Sequence, residues 1–164
     1  MTVIGIVFII LGVLAIIEPA VAGLAVTIFV GWLLLFGGAA HLIEAFGGGV
    51  GRVLWQLLLA AVYIVGGLYL LTHPLLGLGT LTLWLAIIFV IEAVLEVIGF
   101  FATRGAGGSG WRLVNAVITL FLGVLIWVHW PSSSIWAIGT LVGVNLMMTG
   151  FSRVMLGSAA RTLA

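Results

Sequence analysis

Nine side chains in this chain carry a formal charge, five Arg and four Glu, with three His and no Lys, Asp or Cys. With so few, each can be weighed separately. His41, Glu44, Glu92, Glu96, Asn145 and Arg153 lie inside long apolar runs. A charge near mid-bilayer costs about 2.5–3.5 kcal/mol on insertion scales, so such groups face a bundle interior and have partners. Glu92 and Glu96 stand one helical turn apart, and Glu44 is three residues beyond His41. Together the six read as an intramembrane polar cluster in which Glu96 pairs with Arg153, the rest flank it, and protons pass. The alternative is structural: Glu44 and Arg153 snorkel to the interface, and a Glu96–Arg153 ion pair fixes helix register. It is the favoured one, because no polar residue continues the path to the far side.

Other chemistry finds little support. His41-x-x-Glu44 has ligand-like spacing, but di-iron bundles use Glu-x-x-His twice with further Glu residues, so no metal is expected. There is no nucleophile–base constellation and no phosphate-binding loop with Walker spacing, so neither an enzyme nor a cofactor is expected. Ser132, Ser133 and Ser134 read as caps for the free N–H groups of a final helix.

The elements that hold these residues follow from composition. The chain has 164 residues, 65% apolar and 5% charged, whereas an average soluble domain is about a quarter charged. That excludes a soluble globular domain, and the hydrophobicity excludes disorder. Long, all-round apolar runs rather than short alternating segments exclude a barrel. Zero Cys removes disulfide and thiol chemistry, and a net charge of +1 gives no argument for nucleic acid. Val3–Ile17 followed by Ala20-Val21-Ala22 imitates a secretory signal. No basic residue precedes it and the pattern recurs twice downstream, so it reads as a retained span.

Pro19, Pro74 and Pro131 stand 55 and 57 residues apart, each after a similar phrase: Leu11-Gly-Val-Leu-Ala-Ile-Ile-Glu-Pro19, Gly66-Gly-Leu-Tyr-Leu-Leu-Thr-His-Pro74 and Leu122-Gly-Val-Leu-Ile-Trp-Val-His-Trp-Pro131. The expected fold is an all-α membrane protein of six transmembrane helices, arranged as three helical hairpins (1–46, 53–101 and 112–156) turning at the prolines. The spans read as 3–17, 21–46, 53–72, 76–101, 112–129 and 134–156. Arg52, Arg104, Arg112, Arg153 and Arg161 all fall at or near the glycine links and the C-terminal end. The positive-inside rule therefore places both termini in the cytoplasm and the proline turns outside.

Small residues recur in register. Gly31 and Gly38, Ala86 and Ala93, and Gly143 and Gly150 stand twelve and nineteen residues after the three prolines. Gly5 and Gly12, Ala60 and Gly67, and Ala116 and Gly123 form matching pairs before them. Helices in lipid approach closely only where side chains are small, so these mark the packing seams. Gly139-x-x-x-Gly143 is either part of this packing or a dimerisation face. Twenty-two residues after each proline come His41, Glu96 and Arg153, which a pseudo-threefold arrangement would set at one depth. At the outer turns stand Glu18, His73 and His129. Helix ends attract polar residues wherever water begins, which is the favoured reading of each of them taken singly. The alternative, which gains from all three turns carrying such a group, is that the imidazoles, changing charge between about pH 5 and 8, add positive charge on acidification.

The repeated proline phrase and the six-span, three-hairpin layout resemble the HdeD-like family of small bacterial acid-resistance membrane proteins. The resemblance implies a multi-pass protein of the bacterial cytoplasmic (inner) membrane linked to acid stress. It supplies no catalytic or transport motif. Three functions follow: support of acid tolerance, a proton or small-solute conduit, or a structural subunit of a larger membrane complex. The expected partners are the bilayer itself and either further copies of the chain or other membrane subunits.

Overall fold

The structure, a computed structural model, describes residues 2–47, 49–102 and 109–162, and the side chains of all of these except 2, 109 and 157–162. Six α-helices follow one another: α1 (Thr2–Ile17), α2 (Pro19–Ala45), α3 (Val50–Thr72), α4 (Pro74–Ala102), α5 (Ser109–Val128) and α6 (Ala137–Thr162). Five of them, α2 to α6, are long and apolar enough to cross a membrane, and α1 is a shorter apolar helix. Large apolar side chains such as Phe29, Leu33, Val65, Leu95 and Phe121 are exposed along their length, as expected of a surface that meets lipid.

The first two turns are tight, each confined to the single residue before its proline. Proline disfavours the helical region in the residue before it, and its own missing N–H suits the first helical position. Glu18 (φ −120°, ψ 67°) and His73 (φ −131°, ψ 63°) take nearly the same non-helical geometry, and α2 and α4 begin on the next residue. The third turn carries one extra residue and is built differently. The Trp130–Pro131 peptide is cis, a 3-10 turn covers Ser132–Ile135, and α6 starts only at Ala137. The three serines therefore do not cap the final helix. Ser132, Ser133 and Ser134 instead donate to the carbonyls of His129, Ile126 and Pro131, fixing the end of α5.

Helices joined by a proline turn barely touch beyond it. The close antiparallel pairs run between repeats, α2 with α3, α4 with α5, and α1 with α6, which closes the ring. The small residues lie on these seams. A methyl group at Gly67 would stand 2.8 Å from the Gly31 carbonyl oxygen, one at Gly143 2.8 Å from that of Gly12, and one at Gly150 2.6 Å from that of Gly5. Gly38 faces Ala60, Gly123 faces the Ala86 carbonyl, and Ala93 and Ala116 are buried. The Gly139-x-x-x-Gly143 motif is consumed the same way. Gly143 packs on α1, and Gly139 packs on the backbone of Pro19.

At the proline-turn end α2, α4 and α6 converge. Thr27 and Thr82, each eight residues after its proline, are wholly buried and return their hydroxyls to the carbonyls of Gly23 and Leu78. Ala86, Ile126 and Ala137 form a small closed core beside them, and the Trp130 indole N–H donates to the Gly79 carbonyl. From this end α2 stays against α6 while α4 and α6 hardly meet.

A Cβ at Gly139 would lie 2.0 Å from the Pro19 carbonyl oxygen and 2.6 Å from its Cα, backbone atoms that cannot swing aside. Gly139→Ala is expected to destabilise the purified protein in detergent by about 1–3 kcal/mol, as overpacking does. Gly79→Ala, with nothing within 4 Å, should leave the thermal midpoint unchanged.

Candidate functional site

The residues twenty-two after each proline do share a register, but they do not converge. Each lies three residues past the small residue at position nineteen, so it stays on the helix face that packs against the neighbouring repeat. The result is three separate polar stations, one on each seam, toward the glycine-link end.

The α2–α3 station is a hydrogen-bonded relay. Gln56 donates its amide N–H to Glu44 at 2.8 Å, and its carbonyl oxygen meets His41 Nδ1 at 2.7 Å. Since that oxygen can only accept, Nδ1 carries the proton. The imidazole stands edge-on to Tyr63, ring centroids 5.0 Å apart. His41 and Glu44 are thus linked through the amide of Gln56. Among the described residues no three of His, Cys, Asp and Glu come together as a metal site.

On the α4–α5 seam Glu96 accepts a hydrogen bond from the Asn115 amide through Oε1, while its buried Oε2 has no partner. Glu92, Leu95, Glu96 and Arg112 line a pocket of about 310 Å3 beside it. The Arg112 guanidinium comes to rest over Gly99, where a Cβ would be only 2.8 Å from it. Glycine there leaves the arm of α5 room to reach across α4.

The α6–α1 seam holds Arg153, whose guanidinium sits 4.7 Å above the Phe8 ring. Such a contact is worth about 0.5–1 kcal/mol at an exposed site. The expected Glu96–Arg153 pair is not formed, and the physical reason is the seam: Glu96 turns to α5 and Arg153 to α1. Phe8 and Tyr63 hold the same place on their helices, three residues past Gly5 and Ala60. Aromatic side chains on a helix lean back toward its start, which brings both rings under the residue opposite. Arg104 lies outside the described residues, as does the side chain of Arg161.

Asn145 belongs to none of these stations. It projects from α6 into an apolar cleft nearer the middle of the helices. The proline turns form the opposite rim. Glu18 is exposed and makes no capping bond, His73 contacts Thr72 and stacks on Tyr69, and His129 Nδ1 lies 2.9 Å from the Leu125 carbonyl.

Gln56, Tyr63, Asn115 and Phe8 were not among the residues singled out by charge and depth, and Arg112 was read only as a charge marking the cytoplasmic side. Their signal was positional: Asn115 adjoins the seam residue Ala116, and Gln56 is one turn before Ala60.

The repeat seen in this geometry is a known one. A family model described as a short repeat of unknown function (DUF308) matches residues 3–72 and again 58–128. The chain belongs to that family. The two family matches begin 55 residues apart, as do Pro19 and Pro74, and the first spans α1, α2 and α3, so that it includes the close α2–α3 pair. Protein HdeD of Escherichia coli K12, and its counterparts in E. coli O157:H7 and Shigella flexneri, are each 27% identical to this chain over 146 residues, 87% of it and 77% of theirs. This is an HdeD-like, multi-pass membrane protein of the DUF308 family. No solved structure matches it.

Removing the donor of a buried acceptor costs about 1–3 kcal/mol, more than removing both partners. Asn115→Leu is therefore expected to lower stability in a denaturing mixed-micelle titration by that amount. Adding Glu96→Leu to it should restore most of the loss, and Arg153→Met should leave the Glu96 site indifferent.

Proposed function

We propose that this chain is a six-span, non-enzymatic protein of the bacterial cytoplasmic membrane that supports tolerance of acid stress, working without metal or cofactor. Lipid and other membrane-embedded chains are its natural partners. The acid link comes from the HdeD resemblance. The observation that carries it further is the proline-turn rim, where all three turns present an exposed titratable side chain with its proton site free.

The histidine geometry makes this rim chargeable without local rupture. With the single hydrogen of the Thr72 hydroxyl given to the Leu68 carbonyl at 2.7 Å, His73 Nδ1 donates to Thr72 at 2.9 Å in the matching tautomer. At His129 the acceptor is a carbonyl, so Nδ1 donates again. Both rings keep Nε2 to take a proton, and protonation breaks neither bond. The formal charge of Glu18, His73 and His129 together then runs from −1 with both imidazoles neutral to +2 with both protonated and the carboxyl neutral.

A conduit is less well supported. Within the helices, charged and amide side chains stop at Asn145; beyond it toward the proline turns lie Val26, Leu81 and Ile138, the threonines Thr27 and Thr82, whose hydroxyls are returned to their own helices, and then the Gly139–Pro19 contact. The sixth span is α1. Its 16 residues reach about 24 Å, and its seam with α6 runs from Gly5 to Gly12.

Cells lacking their own relative are expected to survive an acid challenge about tenfold better when they express this chain. The triple substitution Glu18→Gln, His73→Gln, His129→Gln should insert equally well and lose that protection. Absence of protection by the unaltered chain overturns the proposal.

Topology has its own test, since the chain contains no cysteine. A membrane-impermeant maleimide is expected to label Ser132→Cys in intact cells, and to label Gly51→Cys and Thr2→Cys only after lysis. Labelling of Thr2→Cys in intact cells would show that α1 does not cross.

A further inference from the structure

Between α2, α4 and α6 lies a cleft of about 550 Å3, within the range of small-molecule sites, open along the gap between α4 and α6. Val30, Leu85, Ile88, Phe89 and Val142 are among its walls, the Trp84 ring stands at its side, and Asn145 is its one side-chain amide. Asn145 is exposed and has no hydrogen-bond partner among the described residues. It stands eight residues into α6, about 12 Å along the axis from the start of that helix and well inside a hydrocarbon core of about 30 Å. An amide left unbonded at that depth costs several kcal/mol.

Water does not answer this need, because a stable water requires two to four polar partners and the cleft offers one amide. Phospholipids and fatty acids bring apolar chains to this depth and leave their oxygens at the interface. The group that fits is a hydrogen-bond acceptor carried to mid-membrane on an apolar molecule, planar enough to lie against Trp84 and Phe89. We propose that the cleft is a binding site for a membrane quinone, with an isoprenoid tail along the α4–α6 gap and a ring carbonyl accepting a hydrogen bond from the Asn145 amide. The site binds the quinone, and no redox step is assigned to it.

The test uses the full-length protein, stripped of native lipid and placed in saturated phosphatidylcholine nanodiscs. Decylubiquinone is the probe and decylbenzene, which has the tail but no carbonyl, is the control, with bound molecules counted by native mass spectrometry. One decylubiquinone per chain should bind saturably, and decylbenzene about tenfold more weakly. Asn145→Leu, which suits a membrane helix and should keep or raise the wild-type thermal midpoint, is expected to weaken decylubiquinone about tenfold and leave decylbenzene unchanged. Equal binding of the two probes would reduce the cleft to a hydrocarbon groove and overturn the proposal. So would unchanged decylubiquinone affinity in Asn145→Leu, or a wild-type dimer that this substitution converts to monomer, since a second copy would then satisfy the amide.

Discussion

The backbones of α1 and α6 approach so closely at Gly5–Gly150 and Gly12–Gly143 that no side chain, even a methyl, fits between them. Lipid tails are as apolar as leucine, so nothing resembling the hydrophobic effect draws these helices together. Dispersion between backbones does so, and it requires small residues. The same contact recurs at Gly31–Gly67 and along the Ala86–Gly123 stretch. Each repeat supplies half of two seams and completes neither by itself. The first helix of a repeat docks on the second helix of the one before, and the first repeat docks on the last. Closure of that ring, more than any turn, holds the chain in one arrangement.

The polar residues follow from the seams. A residue three positions past a seam glycine or alanine is carried to the same interface, so His41, Glu96 and Arg153 each meet a different partner helix. Seclusion between helices lets Glu96 rest against Asn115, and the relay through Gln56 ties His41 to Glu44. A single central cluster would require these faces to turn toward the axis, and that would move Gly38, Ala93 and Gly150 out of the seams.

Much of this was legible in the sequence. The prolines gave the helix boundaries to within a few residues, because the steric effect of proline is local. The seven-residue spacing of Gly31 and Gly38, and its echo at Gly143 and Gly150, marked the seams before any partner was known. Which helix answered which seam was not legible, since Gly12 matches Gly31 and Gly143 equally well by residue type and only closure of the ring selects Gly143. The serine turn was misread for a related reason. Hydroxyls cap either N–H or carbonyl groups, and the inserted residue before Pro131 decides in favour of the carbonyls of α5. The polar partners Gln56 and Asn115 carry no charge and so escaped notice, although in a membrane an amide is as much in need of a partner as an acid.

The third repeat departs from the other two in two ways, and both act on the same helix. The insertion delays α6 until Ala137, and the position that holds Thr27 and Thr82 in the first two repeats holds Gly139. A threonine there could not admit the Pro19 backbone, which comes within methyl distance of Gly139. Glycine lets the start of α2 move in, so α6 is held against α2 at its very beginning. α6 is then committed to α1 along its seam and to α2 at its start, and the α4–α6 gap is what remains. The mid-membrane cleft and the lone amide of Asn145 within it are thus consequences of broken symmetry: three identical repeats would pack their second helices evenly around the axis and leave no side open.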